Sequence, residues 1–495
     1  MDLLEYPNAS GTAAHTWSRT STIEIQIDPA QIEPVANHVM SVLERNPYLS
    51  QLTKSPEPGG VLLQYRLIAT DGSILDVAVR LTPERIYIFY APYPINSVSE
   101  NDLLGLDMEF ETIVRTYFQE QSSSSLYLVF SPKMNIVPGA KEKGIKKLLA
   151  SVVFGNMLYL FIIILFFGMV LYQFFLEYTP LLLVAMQFII VFFANSLIAA
   201  RGEFEITPKN HSIHIAELRM KRSEFDQVMK ICMPRISEIK KKIYDSTLAV
   251  GMPLDEKSVV SALNEHGAVC TPQSVRIKVV NIYNIISDLS HRFGFKEPRT
   301  MLLNVLPPNA AATGVSPKRA TVLITTGLIA TMEEPEIKAV LAHEFSHIKA
   351  RDPLILLALA TTEYLVRVYL LWPFLLQFGL IIDLAYLFLS FTLLFFVAKF
   401  LEARADLDAA VSIGNPRLLA SSLRKLGLWK YQSRVFEIVN VGEWLKWDPH
   451  PPLYYRIKTL ESLDLSKVRH TFIAAIKGCL RGFINSLRGK YPEPG

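Results

Sequence analysis

Residues 343–347, His-Glu-Phe-Ser-His, bring together the side chains of this chain that are best suited to chemistry. Residues 336–350 have a helical pattern, and residues i and i+4 of a helix share a face. His343 and His347 can therefore bind one metal ion, and zinc readily accepts imidazole nitrogen. Glu344 lies beside the open position, where it can take a proton from a water molecule and pass it to a leaving amine. The motif predicts a zinc ion in each chain and hydrolysis of peptide bonds.

A catalytic zinc ion needs a third protein ligand, and Glu402 is the candidate. It lies in Phe-Leu-Glu-Ala-Arg-Ala-Asp, residues 400–406, at the predicted end of an apolar helix. Asp406 is four residues further along the same face, so it can accept a hydrogen bond from a ligand imidazole. The alternative is a solvated helix end in which Glu402 and Asp406 pair with Arg404 or Lys399. The histidine motif favours the ligand interpretation.

A histidine between prolines is a further candidate for catalysis. Residues 448–452 read Asp-Pro-His-Pro-Pro, and the prolines hold His450 in a rigid position. His450 can stabilise the oxyanion of a tetrahedral intermediate, with Arg456 as its orienting partner. The alternative is a stiff turn without a catalytic role.

The elements that must position these residues are those of a membrane protein. The chain has 495 residues, is 50% hydrophobic and has a mean hydropathy of +0.26. Four apolar runs are long enough to cross the hydrocarbon core as helices. They occupy residues 148–175, 181–200, 353–372 and 378–397. The first 140 residues contain no such run, so we expect no signal peptide.

Basic residues predict the orientation of these spans. They flank the apolar runs within residues 141–147, at Arg201, within 349–351 and within 399–404, whereas the two short turns contain no Lys or Arg. By the positive-inside rule, both turns lie outside, and both termini and the active site lie in the cytoplasm. The sequence thus predicts a multi-pass protein of the cell membrane with two helical hairpins.

Four regions follow from this arrangement. Residues 1–140 are predicted to form a separate cytoplasmic α+β domain of unknown role. Its predicted strands are 23–27, 61–68, 74–81, 85–90 and 126–130, and its predicted helices are 31–43 and 103–117. The first membrane hairpin takes residues 141–200, and a cytoplasmic helical connector takes 201–272. Residues 273–495, which open with a predicted helix at 274–293, form a mainly α, zincin-like α+β protease domain with the second hairpin inserted.

Charge and cysteine content exclude some functions. The net charge of +4 is small and is not clustered as in a nucleic-acid-binding protein, so no nucleic-acid partner is expected. Cys232, Cys270 and Cys479 are scattered singly and form neither a CxxC pair nor a disulfide framework. This pattern is typical of a reducing compartment.

Taken together, the motifs resemble the membrane metallopeptidases that include the heat-shock protease HtpX and the CAAX prenyl proteases. The resemblance covers residues 274–460 and is carried by residues in the family's order and spacing. These are Pro308-Asn309-Ala310 and Thr313-Gly314; Thr325-Thr326-Gly327-Leu328; Ala339-Val340-Leu341-Ala342-His343-Glu344 with His347 and Asp352; Glu402 with Ala405-Asp406; and His450-Pro451-Pro452 with Arg456-Ile457.

The resemblance implies a zinc endopeptidase with a glutamate as third ligand. It also implies that Asn309, Ala310, Ala311 and Ala312 offer their backbone to an extended substrate, which is strand addition to a sheet edge. The family often has an aromatic residue where Ala311 stands, so the substrate pocket differs there.

Four spans favour the HtpX-like branch, because CAAX prenyl proteases typically have seven. The resemblance therefore implies quality control of membrane proteins and a role in stress response, with membrane-protein substrates and the lipid bilayer as partners. Two alternatives remain: a prenyl-protein processing protease, and a catalytically weak membrane scaffold that keeps the zinc fold and acts through residues 1–140. The intact Glu344 argues against the scaffold, because structural zinc does not need that residue.

The pattern of residues 466–490 predicts an amphipathic helix. Large apolar residues recur there at spacings of three and four: Phe472, Ile473, Ile476, Leu480, Phe483, Ile484 and Leu487. Basic residues fall largely outside that stripe: Lys467, Arg469, Lys477, Arg481, Arg488 and Lys490. Such a helix can lie in the membrane interface, and the alternative is ordinary packing against the protein.

Overall fold

The computed structural model describes residues 17–487 with gaps. The longest undescribed stretches are 1–16, 133–156, 432–443 and 488–495, and shorter gaps fall within 18–48, 69–72, 95–123, 200–203 and 373–378 and at 221. Three predictions lie outside the described residues: the basic cluster at 141–147, the start of the first span at 148–156, and the basic residues 488–490. The chain folds into two compact units, one built mainly before Ser124 and the other mainly from Ser124 onward.

The first unit is an antiparallel sheet covered by helices. The strand order is β1-β5-β4-β3-β2. The strands are β1 (Arg19–Ile23), β2 (Leu49–Glu57), β3 (Gly60–Ile68), β4 (Ile74–Leu81) and β5 (Ile86–Tyr93). Helix α1 (Ile32–Leu43) buries Val35, Val39 and Leu43 against the sheet, and the described residues between 103 and 118 are helical. The α+β character predicted for this region is confirmed.

Three details of that prediction were wrong. The first predicted strand, 23–27, lies four residues too far along the chain, because β1 ends at Ile23. β2 was missed because its polar sequence, Leu-Ser-Gln-Leu-Thr-Lys-Ser-Pro-Glu, lies on the sheet edge and needs no apolar alternation. The predicted strand 126–130 is present as β6 (Ser124–Phe130), but it pairs with β8 (Ser212–Met220) of the second unit. Strand partners cannot be read from a local pattern, because any exposed strand edge offers the same hydrogen bonds.

The second unit opens with a three-stranded sheet in the order β6-β8-β9. β9 (Val275–Asn281) alternates apolar and polar residues, and only after it does helix α7 (Ile282–Phe293) begin. The predicted helix 274–293 is therefore wrong in its first half. The connector at 201–272, predicted to be helical, also contains β7 (Phe204–Ile206) and β8.

Three helices complete that connector and share a core with the sheet. They are α4 (Arg222–Cys232), α5 (Ile236–Ser246) and α6 (Glu256–Glu265). The chain breaks between α4 and α5 at Met233–Arg235, where Pro234 removes a backbone N–H.

A four-stranded sheet in the order β11-β12-β10-β7 supports the motif helix. Its remaining strands are β10 (Arg299–Leu303), β11 (Ala310–Thr313) and β12 (Thr321–Thr325), and β11 lies at the edge. The short helix α8 (Thr326–Thr331) then leads to α9 (Glu334–Ala350). Gly327 is required at the start of α8, because a Cβ there would lie 1.7 Å from the Leu306 carbonyl oxygen.

Two pairs of long apolar helices flank this part of the chain: one pair precedes β7 of the four-stranded sheet, and the other follows the motif helix α9. They are α2 (Met157–Phe175), α3 (Thr179–Ala199), α10 (Asp352–Val366, extended by a π-helical turn at Arg367–Leu371) and α11 (Leu380–Ile413). Among the described residues, three stretches are long and apolar enough to cross a membrane: Leu165–Phe192, Asp352–Leu371 and Ile381–Ile413. The first includes the turn Leu176–Tyr178 between α2 and α3. Four separate spans remain a prediction.

Three further helices complete the second part of the chain. They are α12 (Pro416–Tyr431), α13 (Leu453–Glu461) and α14 (Thr471–Leu487).

Candidate metal centre

Two helices supply the atoms of a compact donor cluster. The N-terminus of α9 is fixed by a capping box between Glu333 and Glu336, and the helix presents both motif histidines on one face. The Nε2 atoms of His343 and His347 lie 3.1 Å apart. Glu402, from α11, places Oε2 3.4 Å from His343 Nε2 and Oε1 3.4 Å from His347 Nε2. These are the three residues that the sequence proposes as metal ligands.

The spacing of these atoms fits a zinc ion. Zinc–ligand bonds of about 2.0–2.2 Å in a tetrahedral arrangement place neighbouring ligand atoms about 3.3–3.6 Å apart. The two separations between an Nε2 atom and a Glu402 oxygen, 3.4 Å each, lie in this range, and the separation between the two Nε2 atoms, 3.1 Å, is slightly shorter. Glu402 Oε2 is buried and makes no hydrogen bond to any described residue, and the Arg456 guanidinium lies 3.9 Å away, so this oxygen keeps its lone pairs for a metal ion. The donor set, two imidazoles and one carboxylate, is one that zinc accepts.

A carboxylate and an arginine hold the first histidine. His343 Nδ1 lies 3.0 Å from Asp406 Oδ1. Arg456, from α13, donates two hydrogen bonds of 2.7 Å to the Asp406 carboxylate. Asp406 and Arg456 are both buried. The pair fixes the His343 ring so that Nε2 points at Glu402 and His347.

The second histidine has the same kind of support. His347 Nδ1 lies 2.6 Å from Asp352 Oδ2, and Arg404 donates a hydrogen bond of 2.6 Å to that oxygen. Arg351 adopts a left-handed conformation (φ 59°) that ends α9 and turns the chain so that Asp352 faces back to His347. Each ligand imidazole is therefore oriented by a buried carboxylate, and each carboxylate is held by a buried arginine.

The field at this cluster is strongly negative. Burial lowers the pKa of His343, but the carboxylates of Asp406 and Glu402 outweigh it and raise that pKa to about 10. The same carboxylates that would stabilise a proton on the imidazole stabilise a cation at its Nε2 atom. The electrostatics of the cluster therefore favour a bound cation.

Glu344 lies between the donor cluster and the edge strand. Its Oε2 accepts a hydrogen bond of 2.8 Å from the backbone N–H of Ala312 in β11. Asn309 accepts a hydrogen bond from Thr325 N–H of β12, so the alternating ladder turns the N–H groups of Ala310 and Ala312 away from β12. The free edge of β11 thus faces Glu344. Of the predicted substrate-binding residues, Asn309 and Ala311 have exposed side chains, whereas Ala310 is buried.

His450 lies next to the same cluster. Its Nε2 lies 3.6 Å from Glu402 Oε2, and its Nδ1 lies 2.9 Å from Asp448 Oδ1. The predicted partnership with Arg456 is wrong, because Arg456 is committed to Asp406 and Asp448 orients His450. The His450 side chain is 40% exposed.

The motifs do not identify two residues that support the site. Lys399 is fully buried and donates hydrogen bonds to the carbonyl oxygens of Lys446 (2.9 Å) and Asp448 (2.6 Å), which ties the His450 segment to α11. Arg404, which the sequence offers as a surface partner of Glu402 or Asp406, pairs with Asp352 instead. Buried charges in a helix that is otherwise apolar are the signal that points to such residues.

Sequence comparisons agree with this geometry. Residues 278–464 match peptidase family M48. A protease HtpX homolog of Caldanaerobacter subterraneus is 28% identical over 242 residues, which are 42% of this chain and 80% of the relative. A protease HtpX homolog of Syntrophotalea carbinolica is 31% identical over 214 residues, 37% of this chain and 76% of the relative. Protease HtpX of Legionella pneumophila is 33% identical over 160 residues, 29% of this chain and 57% of the relative.

Proposed function

The chain belongs to peptidase family M48, in its HtpX-like branch, and we propose that it is a zinc-dependent endopeptidase that cleaves membrane proteins as part of their quality control. Membership makes it a membrane metalloprotease, whereas zinc, the residue roles and the substrates are our proposal. The observation that carries the proposal is the cluster of His343, His347 and Glu402, whose donor atoms lie 3.1–3.4 Å apart beside Glu344.

The three ligand residues would hold the ion, and the chain's other residues would do the rest. When bound, zinc supplies the positive charge that polarises a water molecule and the substrate carbonyl. Glu344 takes the proton of the attacking water and delivers it to the leaving amine nitrogen. Since Glu344 already accepts the Ala312 N–H, a substrate strand paired with the free edge of β11 has its peptide bond beside this base.

His450 would act on the other side of the peptide bond. As the imidazolium, His450 donates its Nδ1–H to Asp448 and its Nε2–H to the oxyanion that develops on the substrate carbonyl. Lys399 holds the segment that carries His450, so the distance between His450 and the ligand Glu402 is set by α11.

The helix arrangement supports a topology of two membrane hairpins with four spans. The turn at Leu176, which has a positive φ of 47°, separates α2 from α3. Tyr369, at the end of α10, donates a hydrogen bond of 2.6 Å to the carbonyl oxygen of Glu177 in that turn. The two predicted turns therefore belong on one side of the membrane, and the positive-inside rule assigns that side to the exterior.

The proposal that substrates come from the membrane rests on where α3 packs. α3 lies against β11 and β12, and Phe192 of α3 stacks on the guanidinium of Arg319 at 4.0 Å. The α10 helix begins two residues after α9 ends. An apolar helix thus flanks the edge strand, and a membrane-anchored chain has a short path to it.

A cleavage assay in detergent tests the proposal. Full-length protein is incubated with a membrane-protein substrate, and cleavage by Glu344→Gln is compared with cleavage by Glu334→Gln, the same change in the exposed first turn of the same helix. We expect Glu344→Gln to lose on the order of 100-fold in rate or more with zinc still bound, because a base and not a ligand is removed. Glu334→Gln should retain activity.

Removal of zinc with a chelator should abolish cleavage, and added zinc should restore it. Near-wild-type cleavage by Glu344→Gln would remove that residue from its role. Full activity after zinc removal would contradict the metal mechanism, and a wild type that binds zinc without cleaving anything would favour the scaffold alternative. Cleavage confined to prenylated peptides would favour the prenyl-protein alternative, which the three candidate membrane helices among the described residues do not favour.

A further inference from the structure

Helix α14 packs against the protein with its small residues and leaves its large apolar residues outside. Ala475 and Cys479 are buried. Gly478 allows a close approach to α13, because a Cβ there would lie 2.7 Å from the Tyr455 hydroxyl oxygen. In contrast, Phe472 and Ile473 are each 50% exposed and Leu480 is 42% exposed. This is the reverse of an ordinary amphipathic helix, which buries its large apolar face.

The exposed residues form a continuous stripe. Ile473, Leu480, Ile484 and Leu487 follow one another at spacings of seven, four and three, so they share one side of the helix. Lys477 and Arg481 are exposed beside this stripe. A chain that leaves such a stripe in water would carry an unusually apolar patch, which requires an occupant.

The position of α14 along α11 identifies the occupant. Cys479 lies within 3.8 Å of the carbonyl oxygen of Lys399, as hydrogen-bond donor. The apolar run of the fourth predicted span, residues 378–397, ends two residues before Lys399. α14 therefore crosses α11 at the point where that helix leaves the hydrocarbon, which is the level of the lipid headgroups.

The segment that contains Trp447 indicates the same depth in the membrane. Trp447 is 50% exposed, its ring lies 5.6 Å from that of Phe388 and 5.4 Å from that of Phe391, and its Nε1–H donates to Thr392 Oγ1 at 3.2 Å. These partners lie in the second half of the apolar run, residues 378–397. A tryptophan with an apolar body and a satisfied N–H at that depth is typical of the membrane interface.

We propose that α14 lies in the cytoplasmic membrane interface, with Ile473, Leu480 and their stripe in lipid and with Lys477 and Arg481 on anionic headgroups. A helix in this position has its apolar side about 5–10 Å below the headgroup boundary, and its basic residues add attraction to an acidic lipid surface. This inference concerns the lipid contact alone and stands independently of the proteolytic activity.

Depth-dependent quenching tests the proposal on the full-length protein in liposomes of zwitterionic and anionic lipid. A polarity-sensitive fluorophore is attached to a single introduced cysteine, in a background in which the half-buried Cys270 is replaced by Ser. The test positions are Ile473→Cys and Leu480→Cys. Leu389→Cys, on the exposed face of the fourth span, is the positive control, and Ser261→Cys, exposed on α6, is the negative control.

Lipids that carry a quencher on the acyl chain should reduce emission at Ile473 and Leu480 by an amount comparable with Leu389 and several-fold larger than at Ser261. Replacement of Lys477 and Arg481 by Gln should weaken this quenching in anionic liposomes and leave it unchanged in purely zwitterionic ones. Quenching at both test positions that is as weak as at Ser261 would overturn the proposal. It would mean that water, a second copy of the chain or another protein covers the stripe. Quenching that does not respond to anionic lipid would overturn the assignment of the basic residues.

Discussion

Removal of either carboxylate behind the ligand histidines should weaken zinc binding without removing a ligand. In Asp406→Asn and Asp352→Asn, the amide keeps the shape of the side chain but loses the charge that orients His343 or His347. Asp406 lies 3.0 Å from His343 Nδ1, and Asp352 lies 2.6 Å from His347 Nδ1. Loss of such an outer partner typically costs about 10–100-fold in metal affinity, or roughly 1.4–2.7 kcal/mol.

The double variant should be weaker than either single one. If the two supports act independently, the costs add to about 3–5 kcal/mol, but both imidazoles bind the same ion, so a coupling of a few tenths of a kcal/mol or more is expected. The structure predicts the larger effect for Asp352→Asn, because its contact to the histidine is shorter and Arg404 loses the acceptor of its 2.6 Å hydrogen bond.

The assay is competition for zinc with a chromophoric chelator, performed on purified full-length protein in detergent. Asp288→Asn is the matched control, because Asp288 loses the same charge at an exposed site where it pairs with Arg292 and Lys338. Its zinc affinity should equal that of the wild type. Affinities within about twofold of the wild type for both test variants would refute the reasoning that outer-shell carboxylates orient the ligands.

Three further predictions follow from the site and the topology. Ala312→Pro removes the backbone N–H that donates a hydrogen bond to Glu344, and it leaves the hydrogen bonds between β11 and β12 in place. In a cleavage assay, kcat/KM should fall about 10–100-fold while zinc affinity is unchanged. An unchanged rate would exclude a role for this hydrogen bond. Lys399→Met removes the two hydrogen bonds that hold the His450 segment on α11, so we expect a lower kcat with normal zinc binding. A loss of zinc binding would show instead that Lys399 supports the metal site. Ser10→Cys and Lys490→Cys should both resist an impermeant thiol reagent in intact cells, and labelling of either would overturn the predicted cytoplasmic termini.

Some features of this protein depend only on local sequence. The motif histidines lie on one helix face because the helical repeat places i and i+4 together, whatever surrounds the helix. The apolar stretches follow from run length and the cost of burying polar groups in lipid, so the structure finds apolar helices where the sequence predicts them. The break at Pro234 follows from the missing N–H of proline.

Other features depend on which segments meet in three dimensions. The strand Leu126–Phe130 was predicted in the N-terminal sheet but pairs with β8, because alternating residues do not identify their partner strand. The helix predicted from residue 274 is preceded by β9. Arg456 was predicted to pair with His450, whereas α13 packs on α11 so that Arg456 reaches Asp406. Residue type and spacing therefore determined the candidate ligands, and tertiary packing decided their supports, because buried charges choose the partners that satisfy their hydrogen bonds at the least cost of desolvation.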